Sequence, residues 1–337
     1  VSAREGGDGA PQVPNRGPVR TTDEAPVILK RVLVPLDGSR LAECVLPTAI
    51  SLGAHLRARV TLLHVMERAA PATVHGDRHL TAASEAARYL DEVARRVAAG
   101  GVVVESHVHP NLEGDVAQSI VAHAADLDAD LVILATHGAG GAKRVLFGSV
   151  AQQVLRKGVR PVLLIRPPEG QASREAAPTD VRRLLVPLDG QPPAEAALPI
   201  ASVLAQAYAA ELVLMHIVPT LTTIPGERAS AARLAPSATA ASLDLEEAEG
   251  RAYIQQMASG LRERGLRVST WVGRGEPAQS LLEGAAHAAV EMIVMATHGR
   301  TGLDAVFSGS VASRIVARFT RPILLVRAPR AQQTASP

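Results

Sequence analysis

A pattern written twice constrains this chain more than any other feature. Asp130-Leu-Val-Ile-Leu-Ala-Thr-His-Gly138 is followed after nine residues by Gly148-Ser149-Val150-Ala151, and Met292-Ile-Val-Met-Ala-Thr-His-Gly299 is followed after nine by Gly309-Ser310-Val311-Ala312. Each copy closes on an apolar stretch behind Arg-Pro, 162–165 after Arg160-Pro161 and 323–326 after Arg321-Pro322. Repeated spacing of this kind means one folding unit present twice, and 337 residues suffice for two domains with their own cores.

The unit alternates strands and helices. Leu131 to Leu134 has the uninterrupted branched character of a strand covered on both faces. Residues 27–36, 60–65, 102–108 and 162–165 read as the other strands of copy one, with helices running through Ala54, from about Ala82 to Ala99, from Asp115 and from Ser149. Ala83, Ala87, Leu90, Ala94 and Val97 are expected to face the core from the second helix, and Val116, Ile120, Val121 and Ala124 from the third. Residues 183–187, 212–218, 267–272 and 292–297 repeat strands one to four. Asp37 matches Asp189 at an offset of 152 and His137 matches His298 at 161, so copy two carries nine extra residues. They fall in residues 219–242, rich in Thr, Pro, Ala and Ser, which are expected to form a surface loop.

The expected fold class is α/β, with two tandem doubly wound five-stranded parallel sheets and ligand sites beyond the carboxyl ends of the strands. The expected organisation is a disordered tail at 1–26, a first domain at 27–167, a linker at 168–179, a second domain at 180–328 and a C-terminal tail at 329–337.

Composition removes several classes of function. No apolar run approaches the roughly 20 residues that cross a bilayer, so no membrane partner is expected. Cys44 is the one cysteine and no apolar leader is visible near the start, which points to a reducing, cytoplasmic setting. The net charge of +2 is spread over arginines interleaved with acids, and aromatic residues are 2% of the chain, so nucleic acid is not an expected partner. His107 and His109 share a strand face but lack a third ligand in sequence, and His137 and His298 stand singly in turns; no metal is expected. No phosphate-loop, nucleophile-elbow or zinc-protease motif is present, so nothing specifies fast catalysis.

Two stretches could hold a ligand. Gly148 lets a ligand approach the backbone, and free amides at the helix start behind Ser149 would favour an anion. Ser149 could equally cap its own helix with Gln152. Asp37, in Pro35-Leu-Asp-Gly-Ser39, could accept bonds from a ligand or could simply form the turn.

The paired strand-four turns and the strand-one Pro-Leu-Asp-Gly of both copies make the chain resemble a tandem universal stress protein. That resemblance implies a Rossmann-like, adenine nucleotide alpha hydrolase-like fold and ATP, with Mg2+ as its accompanying ion, as the cofactor. The nucleotide-binding members carry Gly, two residues, Gly, nine residues, Gly, then Ser or Thr. Here the first Gly is replaced by Ala135 and Ala296, while Gly138, Gly148 and Ser149, and Gly299, Gly309 and Ser310, match. The resemblance further implies that Pro35, Asp37 and Val65, or Pro187, Asp189 and Ile217, lie at the base and ribose, and that Val150 and Val311 join the phosphate seat. It also implies dimerisation through the fifth strand, which a tandem chain satisfies internally as a pseudo-dimer; a further homodimer through another face is compatible. The function so implied is an adenine-nucleotide-binding stress regulator with two sites and at most slow, incidental ATP hydrolysis. The alternative is an ATP-independent protein-interaction scaffold of the same fold, with partners the sequence does not name.

Overall fold

The computed structural model describes residues 27–68, 71–136, 149–167, 180–224, 227–297 and 311–328. In copy one, β1 (Arg31–Pro35), α1 (Leu46–Leu56), β2 (Arg59–Glu67), a small hairpin β3 (Thr73–Val74) and β4 (Asp77–Arg78), α2 (Ala83–Ala99), β5 (Val104–Glu113), α3 (Val116–Asp126), β6 (Leu131–Ala135), α4 (Ser149–Lys157) and β7 (Val162–Ile165) follow in order. Copy two gives β8 (Arg183–Pro187), α5 (Pro192–Glu195), α6 (Leu198–Ala207), β9 (Glu211–Val218), α7 (Glu227–Leu234), α8 (Pro236–Glu263), β10 (Arg267–Arg274), α9 (Pro277–His287), β11 (Met292–Thr297), α10 (Val311–Arg318) and β12 (Ile323–Arg327).

The two five-stranded arrays are not separate sheets. They form one ten-stranded sheet in the order β10-β9-β8-β11-β12-β7-β6-β1-β2-β5. Each half is parallel, and the halves meet where β7 and β12 pair antiparallel, Leu164 opposite Ile323, Leu163 opposite Leu324 and Val162 opposite Leu325. The reason is physical: the branched fifth strand of each half is apolar on both faces and would otherwise expose an unpaired edge. The seam extends beyond the sheet. Arg166 donates to the Ala317 carbonyl at 2.7 Å and its counterpart Arg327 donates to the Gly158 carbonyl at 2.6 Å. On the other face Tyr208 stacks on His55 with ring centroids 4.1 Å apart and shares a 3.0 Å hydrogen bond with Ser51.

Strand alternation divides the core. Val32, Val34, Leu163 and Ile165, with Leu184, Val186, Leu324 and Val326, pack under α1, α2, α6 and α8. Leu33, Val132 and Leu164, with Leu185, Ile293 and Leu325, pack under α3, α4, α9 and α10.

Three local expectations are corrected. The first strand is shorter than 27–36, because Lys30 and Arg31 already turn their amides to Asp130. The inward face of α2 is Ala86, Leu90, Val93 and Val97, while Ala83 is exposed and Ala87 and Ala94 are half-buried: the face is centred on the larger Leu90, Val93 and Val97, which bury more apolar surface than the flanking alanines. Residues 219–242 are not one loop: α7 and the first turns of α8 lie within them. Alanine, glutamate and arginine there favour helix, and Pro236 fits the first helical turn, where its missing amide costs nothing.

Candidate functional site

The strand order reverses between β1 and β6 in copy one and between β8 and β11 in copy two, so a crevice opens beyond their carboxyl ends. Pro35 ends β1, and the Leu36 amide donates to the Leu63 carbonyl at 2.8 Å. The chain then turns at Gly38, whose φ of +88° suits glycine alone among common residues. Asp37 Oδ1 accepts from the Ser39 amide at 2.9 Å and from Ser39 Oγ at 2.6 Å, while Ser39 Oγ accepts from the Ala42 amide at 3.1 Å. Thus Asp37 forms the turn that launches the next helix. Asp189 does the same with the Gln191 amide at 2.9 Å, around Gly190 at φ +79°.

A histidine on the neighbouring strand braces each turn. His64 Nδ1 bonds the Leu36 carbonyl at 2.8 Å, and His216 Nδ1 bonds the Leu188 carbonyl at 2.8 Å. His216 repeats His64 at the same offset of 152, but the carbonyl that each histidine meets is set by the neighbouring strand and not by any spacing in the sequence. Its Nε2 is buried and has no partner among the described residues.

The other site residues fall around these turns. Val65 is buried near the end of β2, and Ile217 holds the matching place in β9, half-buried. Ala135 ends β6 and Ala296 lies one residue before the end of β11. Their neighbours Thr136 and Thr297 are buried, and their amide or hydroxyl bonds reach strand five at Ile165 and Val326. Ser149 opens α4 exposed, and Val150 and Val311 are half-buried against the core. His137, Gly138, Gly148, His298, Gly299, Gly309 and Ser310 lie outside the described residues.

The approaches to the two crevices differ. In copy one the β3–β4 hairpin and its flank lie over the turn: the Arg40 amide donates to Asp77 at 2.8 Å, His75 Nε2 stands 3.6 Å from Asp37 Oδ2, and a Cβ on Gly38 would meet Leu80 at 2.8 Å. In copy two the corresponding connection is a turn in which Thr223 Oγ1 donates to the Gly275 carbonyl at 3.2 Å, followed by α7.

His107 and His109 do meet a third histidine. The His123 ring from α3 lies 5.0 Å from His107 and 4.9 Å from His109, with His109 bonded to Glu113 at 2.9 Å and His123 to the Ser119 carbonyl at 2.8 Å. Among the described residues no group of three or more such side chains is arranged to hold a metal ion. Burial first, then the charges of His123 and His109, push His107 below the ordinary histidine range; burial likewise lowers His64. A depressed histidine stabilises the fold above its unfolded pKa and loses that contribution as pH falls through the folded value. The melting temperature should therefore drop between about pH 7 and pH 5, straddling the ordinary histidine pKa. His107→Leu should flatten that dependence, and an unchanged slope would remove the cluster as its cause.

These features define a tandem doubly wound α/β protein with a braced aspartate turn at each switch point. The universal stress protein family model matches residues 29–166 and 180–327, and the chain belongs to that family. It is 27% identical over 307 residues to a universal stress protein of Mycolicibacterium smegmatis, covering 88% of this chain and 96% of that one. A universal stress protein of Thermus aquaticus is 30% identical over 147 residues, 43% of this chain and 98% of its own. The crystal structure of a universal stress protein from Archaeoglobus fulgidus superposes with a TM-score of 0.62 at 18% identity, covering 90% of this chain and 98% of that one. No helix among the described residues is long and apolar enough to cross a membrane.

Proposed function

We propose that the chain is an adenine-nucleotide-binding stress regulator that takes ATP, accompanied by Mg2+, at the switch-point crevice of each half. The observation that carries this reading is the repeated turn, in which Asp37 and Asp189 are held by the same bond at 2.9 Å beyond the first strand. A carboxylate oxygen beside an open crevice suits ribose hydroxyls, and the glycine-serine helix starts of the sequence suit phosphates. Hydrolysis, where it occurs, is slow and incidental, since no charged clamp for phosphoryl transfer is apparent in the sequence. The domains are taken as 27–167 and 180–328, joined by 168–179, acting as an internal pseudo-dimer in the cytoplasm.

Titration calorimetry with ATP, ADP and AMP, with and without Mg2+, tests the proposal. Saturable heat and an upward thermal shift are expected with at least one nucleotide. Silence at millimolar concentration would favour the scaffold reading, which draws on the commitment of Asp37 Oδ1 to Ser39. The halves should differ in affinity, because the hairpin flanks one turn and α7 follows the other connection. Gly148→Val and Gly309→Val, made separately, should each remove one site through the added side chain and leave different affinities behind. Identical residual affinities would contradict the asymmetry.

A further inference from the structure

The opposite end of the first half carries a feature that the nucleotide reading does not use. Beneath the amino ends of β1, β2 and β5 lies an open cleft of about 430 Å³, lined by the Gly53 and Gly101 segments and by Lys30, Arg31, Arg57 and Arg59. Its volume falls within the range of small-molecule sites, about 300–1,000 Å³. The cations are only partly neutralised. Arg31 pairs with Asp128 at 3.0 Å and Arg59 pairs with Glu105, but Lys30 Nζ donates to the Leu56 carbonyl at 2.7 Å. The Arg57 guanidinium makes no hydrogen bond or ion pair among the described residues. Val103, 61% exposed, gives the same cleft an apolar wall.

The second half shows that the fold does not require this charge. At the offset of 152, Lys30, Arg31, Arg57 and Arg59 become Arg182, Arg183, Ala209 and Glu211. Ala209 holds the same left-handed backbone as Arg57, φ 48° against 51°, so the arginine is not there to make the turn. There Glu211 pairs with Arg183 at 3.3 Å, Asp180 pairs with Arg182 at 2.9 Å and Arg267 donates to the Ala209 carbonyl, so among the described residues each of these cations is engaged, as Arg57 is not.

We infer that this cleft binds a small organic phosphate with at least two negative charges, its oxygens on Arg57, Arg59 and Lys30 and its apolar body on Val103. Arginine's planar fork suits phosphate oxygens, and exposed cations attract a multiply charged anion more strongly than a single charge. The site is separate from the carboxyl-end crevices, so its occupancy is independent of theirs.

Inorganic pyrophosphate titrated into the full chain without nucleotide, at low ionic strength, tests the inference. One saturable event is expected, weakening as salt rises. Arg57→Gln, which disturbs no contact of the guanidinium among the described residues, should weaken it about tenfold, the loss of one charge-assisted contact. The pair Arg57→Glu and Arg59→Glu should abolish it, while the stability of the chain to urea stays within that of ordinary surface substitutions. Pyrophosphate binding that survives both sets of substitutions, or no binding at millimolar pyrophosphate, would overturn the inference. The arginine variants alone assign the heat to the cleft, so the outcome is the same whether or not ATP binds the carboxyl-end crevices.

Discussion

Leu164→Lys or Leu325→Lys should each destabilise the chain by on the order of 4 kcal/mol or more, the largest single-residue effects expected here. Both leucines are 2% exposed and sit on the antiparallel seam, Leu164 opposite Ile323 and Leu325 opposite Val162. A lysine there loses the apolar burial and must either bury its ammonium or force the strands apart. Leu164→Ala should cost less, about 2–5 kcal/mol, because it leaves a cavity without a charge. Urea unfolding gives the magnitudes, and proteolysis reports whether the 168–179 bonds become more accessible. An unchanged unfolding midpoint in both lysine variants would mean that the two halves do not depend on this pairing.

The double variant Asp130→Ala and Glu291→Ala should lose about 4 kcal/mol, roughly 2 from each half, as expected for charged acceptors removed from backbone donors. Asp130 accepts from the Lys30 and Arg31 amides at 2.7 and 2.8 Å, and Glu291 accepts from the Arg182 and Arg183 amides at 3.2 and 2.8 Å. Each carboxylate thereby ties the start of the first strand to the residue before the fourth. The two sites share no partner, so their effects should add. Asp130→Asn keeps an acceptor oxygen and should recover part of the loss. Equal destabilisation by Asn and Ala would show that the charge, not the hydrogen bonds, carries the effect.

These carboxylates mark where local pattern stops being informative. Periodicity located the strands at 183–187 and 292–297 at their observed limits, because an apolar strand of a parallel sheet is buried wherever its neighbours lie. Asp115 was legible as a helix start for the same local reason: its carboxylate reaches the Gln118 amide only three residues away. Asp130, in contrast, stands 99 and 100 residues from the amides it accepts, and no spacing rule links them. Residues 219–242 carry both turn-forming prolines and threonines and helix-forming alanines, and the helix prevails because Ile224 and Ala232, with Leu243, gain a buried face against Val218 in the folded protein.

The repeat, the α/β class, the family and the aspartate-glycine turns were all legible in the order of residues, since each rests on short-range pattern or on one copy echoing the other. Pairing between distant groups was decided by three-dimensional contact: β7 with β12, His64 with the Leu36 carbonyl, and His107 and His109 with His123. So was the concentration of Lys30, Arg31, Arg57 and Arg59 around one cleft, because strands that begin side by side in a parallel sheet gather cations lying up to 29 residues apart in the chain. Hydrogen bonds and charges act over a few ångströms of space, and separation along the chain does not record that distance.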